Sequence, residues 1–178
     1  MGYVNKLAAL FVVLAIATIL GIPTAFAQRD AGSKIRGEYN FYGGSASRSM
    51  RGAREISQAY RQYVRTAPQQ QVNPEVAKAT ADAIGDYITK AQAHMAWMRK
   101  QAEAAGDKTA LAFLDSIDKN LATASKSHQE MHEMCLKANV DAASSMSCCQ
   151  QIDDSLATAI AEHDKLMKHV AGDKPATK

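Results

Sequence analysis

The chain has 178 residues, about one domain's length, and its 47% hydrophobic and 22% charged residues describe a folded protein, not a disordered or fibrous one. Lys and Arg outnumber Asp and Glu by 21 to 18, too small a surplus to argue for nucleic acid as a partner. Ten Gly, four Pro and 6% aromatics point away from a β-sandwich or barrel, and the chain has no phosphate-binding glycine loop, G-x-S-x-G elbow or H-E-x-x-H, which disfavours most familiar enzyme classes.

Residues 1–27 read as a cleaved secretory signal. Lys6 supplies the positive start, Leu7–Leu20 is an uncharged run of 14 residues, and Pro23 with Ala25-Phe26-Ala27 fits a helix break and an A-x-A cleavage site. Fourteen residues are short for a membrane span, so no stable span is expected after cleavage. The mature chain is expected to begin at Gln28 in the periplasm or outside the cell, where disulfides are permitted. Residues 28–46, with Gly32, Gly37, Gly43 and Gly44 among scattered charges, are expected to form a flexible leader.

From Ser47 the chain is rich in helix formers, and its breaks fall where helix ends belong. A first helix is predicted over 47–66, with Ala53, Ile56, Tyr60 and Val64 on its apolar face and Arg48, Arg51, Arg54, Arg61 and Arg65 on a solvated one. Asn73, Pro74 and Glu75 open a second helix that should stop at Gly106. Asp107 caps a third, running to about Ala138. The fourth spans Ala142–Ala171 and ends at Gly172, leaving 173–178 as a tail. Long helices this poor in large apolar residues need one another, and short connections make neighbours antiparallel. The expected fold is all-α: an antiparallel up-down four-helix bundle over 47–172 with a shorter first helix.

All five His, all three Cys and six of the eight Met lie between His94 and His169. In helix 3 the rhythm Leu111, Leu114, Ile117, Leu121, Ala124 continues into His128, Met131, His132 and Cys135. Helix 4 reads Cys149, Ile152, Leu156, Ile160, His163, Met167, Val170, and helix 2 reads Ile84, Tyr87, Ala91, His94, Met98. Antiparallel pairing then predicts two clusters. The first holds His128, Met131, His132, Cys135, Cys148 and Cys149, with Met146 as a further candidate. The second sets His94 and Met98 level with His163 and Met167, two copies of H-x-x-x-M.

Thiolate and thioether select Cu(I). Di-iron is disfavoured because no Glu-x-x-His occurs, and covalent haem because no Cys-x-x-Cys-His occurs. Zinc held by His128, His132, Cys135 and Cys149 is a further option, and non-covalent haem between a Met and a His a lesser one. An exported four-helix bundle with inward Cys, His and Met resembles the bacterial copper-storage and copper-binding bundles over Asn73–Ala171, in architecture and ligand type. It differs in having three cysteines where those proteins line the core with many. The resemblance implies a few Cu(I) ions per chain, held for sequestration, buffering or delivery to a copper-accepting or copper-donating protein, and no catalysis. The alternative is a structural or interaction bundle in which Cys135 is bridged to Cys148 or Cys149 and the His and Met residues are core.

Overall fold

The computed structural model describes residues 22–67, 72–136 and 140–172, with side chains from Gly37 onward. Most of the expected signal and the 173–178 tail lie outside these residues. Four helices account for the described chain: α1 (Ile22–Thr66), α2 (Pro74–Ala105), α3 (Lys108–Cys135) and α4 (Ala142–Ala171). The bundle begins at Tyr39.

The helix ends follow the capping chemistry. Asn73 accepts from the N–H groups of Glu75 and Val76 ahead of Pro74, and Gly106 closes α2 in the left-handed conformation at φ 65°. Asp107 accepts from Ala110 N to start α3, and Asp141 accepts from Ser144 N to start α4. Two boundaries differ from expectation. α3 ends at Cys135, earlier than the expected Ala138, with Leu136 as its cap. The larger difference is α1, expected to be the shortest helix and observed as the longest at 45 residues.

The reason lies in the stripe along α1. Tyr39, Gly43, Ala46, Met50, Ala53, Ser57, Tyr60 and Val64 are all buried, at alternating steps of four and three. Each helical glycine costs about 1 kcal/mol relative to alanine, but the aromatic residues offset that by docking on α2. The Tyr39 hydroxyl donates to the Met98 carbonyl at 3.1 Å, and Tyr42 stacks on Trp97 with ring centroids 4.1 Å apart. Part of the segment expected as a leader is therefore bundle, and α1 covers α2 as far as Met98.

Every adjacent pair is antiparallel. Tyr39 meets Met98 while Gly52 faces Tyr87. Arg99 binds Asp115 and Asp118 while His132 meets Asp82. Asp107 meets His169 while Ser127 meets Gln151, and Gly43 faces Met167 while Ser57 donates to the Cys149 carbonyl. The up-down four-helix bundle is the fold. Its core runs along the shared axis, filled by Met50, Ile84, Ile88, Met95, Met98, Leu114, Ile117, Leu121, Ile152, Leu156 and Leu166.

The arginines of α1 are not simply a solvated face. Arg54 binds the buried Asp153 at 2.6 Å, Arg61 reaches it at 3.5 Å, and Gln58 donates to it at 2.8 Å, while Arg51 approaches Asp164. This network ties α1 to α4. Asp153→Ala should destabilise the bundle by about 2 kcal/mol in urea unfolding, because it leaves the partly buried Arg61 without its carboxylate. Lys78→Ala, which removes an exposed pair with Asp82, should cost at most about 0.5 kcal/mol.

Candidate metal centre

All three cysteines and Met131 lie toward the end of the bundle where α3 hands over to α4. Met131 and Cys149 are fully buried, and Cys149 Sγ lies 3.5 Å from Met131 Sδ. Cys135, one turn beyond Met131, is buried as well, and so is Cys148. All three cysteines are free thiols, so the bridge from Cys135 to Cys148 or Cys149 considered from the sequence is not formed. α1 closes this end with Ser57 and Tyr60, and the buried hydroxyls of Tyr60 and Ser145 have no hydrogen-bond partner.

Burial governs the electrostatics here. It pushes the Cys149 thiol up to about 12, against a smaller opposing effect of Ser57. Burial also raises Cys135, with the negative charge of Asp82 and then Cys148 adding to it, and raises Cys148, with Glu130 adding. The Tyr60 phenol is likewise pushed up to about 12 by burial. Burial thus favours the protonated thiol at all three positions. Cys148 is the one that approaches the surface: it lines an α3–α4 groove of about 300 Å³ with Glu130, Glu133 and Met134.

The two histidines expected in the same cluster are elsewhere. The buried stripe of α3 runs Ala124, Ser127, Met131, Cys135, and His128 and His132 stand beside it, facing α2. His128 Nε2 sits 2.8 Å from the Ala81 carbonyl, which can only accept, so that nitrogen carries the proton. The ring packs so closely on Gly85 that a Cβ there would lie 2.6 Å from its Cε1. His132 Nε2 lies 3.2 Å from Asp82 Oδ1. Both imidazoles line an α2–α3 groove of about 340 Å³ with Asp82 and Asp86. The expected set His128, His132, Cys135 and Cys149 is thus divided between a groove and the core. Among the described residues no group of three or more His, Cys, Asp or Glu is placed to hold a metal ion together.

The second expected cluster is divided too. His94 packs against the Tyr42 ring on the α1–α2 seam, while His163 faces Gly43 on the α4 side of α1. The core position on α2 belongs to Met95, one residue along, which is fully buried together with Met98. His163 is 2% exposed, and neither of its ring nitrogens has a hydrogen-bond partner. Met167 is partly buried and points its Sδ at the same glycine. Met146 is partly buried at the edge of the core. The fifth histidine is structural. His169 Nε2 lies 2.8 Å from Asp107 Oδ2 and so joins the end of α4 to the cap of α3.

Sequence reasoning missed Met95, Ser145 and Asp153, and placed Tyr60 on the apolar face of the first helix without linking it to the thiols. Met95 was within reach, because Ile88 and Met95 are more apolar than the Tyr87 and His94 chosen for the same stripe. Comparison of the chain with family models, curated proteins and solved structures finds no match. What the chain does must be read from its own residues.

Burial holds His163 below the usual histidine range, against the opposing effects of Asp164 and the Gly43 backbone, and Arg51 adds to the lowering; burial likewise lowers His128, against the Ala81 carbonyl. The unfolded chain therefore binds more protons than the folded one below about pH 6.5, and folding stability falls as pH drops through that value. The Tm of the metal-free chain should decline between pH 7.5 and 5. His163→Leu should flatten that decline and raise Tm at pH 5, because it removes a buried polar ring without partners. An equal decline in the variant would contradict this assignment.

Proposed function

We propose that this chain is an exported, non-enzymatic bundle that takes Cu(I) into its thiol–thioether end, for sequestration, buffering or delivery to a protein partner. One observation carries the reading: Cys149 Sγ and Met131 Sδ lie 3.5 Å apart in a fully buried position, with the free thiols of Cys135 and Cys148 close by. A thioether beside thiols is a soft donor set that suits Cu(I). Zinc is less well served, because a closed tetrahedral site needs four N or S donors and the imidazoles face another groove. Three thiols limit the capacity to a few ions, which suits buffering or transfer better than bulk storage. Export is supported by the charge, apolar run and A-x-A pattern of residues 1–27, and the absence of catalysis by thiols that burial keeps protonated. A structural or interaction role is the second reading, and it draws on the dispersal of the imidazoles and thiols over different faces.

Competition against a Cu(I) chelator under anaerobic conditions separates the two. Cys149→Ser and Cys135→Ser should each weaken Cu(I) binding roughly tenfold or more, equivalent to about 1.4 kcal/mol per decade. Met50→Leu and His132→Leu, which lie outside the sulfur cluster, should leave it unchanged. Ligation requires thiolate, so binding should release protons and weaken as pH falls from 8 to 6. Equal affinity of the wild-type chain and Cys149→Ser would leave the structural reading.

A further inference from the structure

His163 is the most anomalous side chain in the bundle. Buried histidines normally spend both ring nitrogens on partners, since an unpaired polar group in a dry interior has lost its water for nothing. Neither Nδ1 nor Nε2 makes a hydrogen bond of ordinary geometry; the Gly43 backbone and Asp164, 3.8 Å from Nδ1, are the polar groups nearest the ring and favour its charged form. Four residues on, the same face of α4 carries Met167. Both side chains converge on one point of α1. A Cβ placed on Gly43 would lie 2.5 Å from Met167 Sδ and 3.5 Å from His163 Nε2. The missing side chain lets the thioether sulfur pack directly on the α1 backbone, with the imidazole nitrogen beside it. A turn earlier on α1, Tyr39 binds the carbonyl of Met98, a fully buried thioether on α2.

We propose that His163 and Met167 hold one soft monovalent cation against Gly43, at a thiol-free site separate from the cysteine end of the bundle. A neutral imidazole and a thioether are donors that need not lose a proton to bind, and both suit a soft, singly charged ion. Such an ion supplies the missing partner of the buried ring. The site contains no cysteine, so it stands or falls independently of Cu(I) binding at the thiol end.

The test uses the full chain with Cys135, Cys148 and Cys149 replaced by Ala, titrated calorimetrically with Ag(I), a soft monovalent ion that needs no reductant. This chain should bind one equivalent, and His163→Leu should weaken that binding roughly tenfold or more. Gly43→Ala is the sharper variant. Alanine favours the helix more than glycine does, so the fold should persist, yet the added methyl displaces the thioether and should also weaken binding. Met134→Leu, away from the site, should have no effect. If the cysteine-free chain fails to fold, the wild-type chain serves instead, and there His163→Leu should lower the Ag(I) stoichiometry by one. A folded cysteine-free chain that binds no Ag(I), or undiminished binding in His163→Leu, overturns the proposal.

Discussion

An α-helix turns about 100° per residue, so moving a buried stripe by a single position carries each side chain from the bundle axis to an inter-helix groove. In this chain the stripe is narrow and built largely of small residues: Ala46, Ala53 and Ser57 on α1, Ala77, Ala81 and Ala91 on α2, Ala124 and Ser127 on α3, and Ser145, Ser155 and Ala159 on α4 are all buried. Small residues bring the backbones close together and leave little space around the axis. Only a side chain on the stripe itself reaches the core. That phase decides the chemistry, because it admits Met131, Cys135, Cys149 and His163 and diverts His94, His128 and His132 to the seams.

The same packing sets the reactivity of what it admits. Burial favours the protonated thiol, and Cys149, which packs on Met131 with Ser57 close by, is the extreme case, pushed up to about 12. It is therefore a poor nucleophile. Nothing about such a thiol prevents ligation, since a soft cation competes directly for the sulfur and drives the proton off. Burial that disfavours the thiolate leaves the sulfur available to a metal. The grooves behave differently: the contacts of His132 with Asp82, and of His169 with Asp107, join helices at the surface.

Helix existence, the bundle topology and most helix ends were legible because they rest on local signals: Asn73-Pro74, Asp107, Gly106 and Gly172 each act through the backbone beside them. The start of α1 was not, because Gly37, Gly43 and Gly44 lower helix propensity where Tyr39 and Tyr42 gain docking contacts more than fifty residues away. The ligand seams were legible only in part. On α2, Ile84, Ala91 and Met98 belong to two overlapping stripes, and the choice between Tyr87 with His94 and Ile88 with Met95 rotates the helix enough to remove a histidine from the core. On α3, His128 and Ser127 compete for one buried slot, and the smaller residue takes it against Gln151 of α4. The sulfur cluster survived because Met131, Cys135 and Cys149 lie on the stripe in either phase.

Copper binding at the thiol end requires sulfur atoms that stay unbridged and available in the folded chain. The most direct measurement combines elemental analysis with a thiol count in denaturant on protein isolated from its own compartment without added metal. Copper at about one ion or a few per chain, together with three titratable thiols, is the predicted result. Protein free of soft metal with a single titratable thiol would mean a disulfide-bonded structural bundle, and would contradict the account.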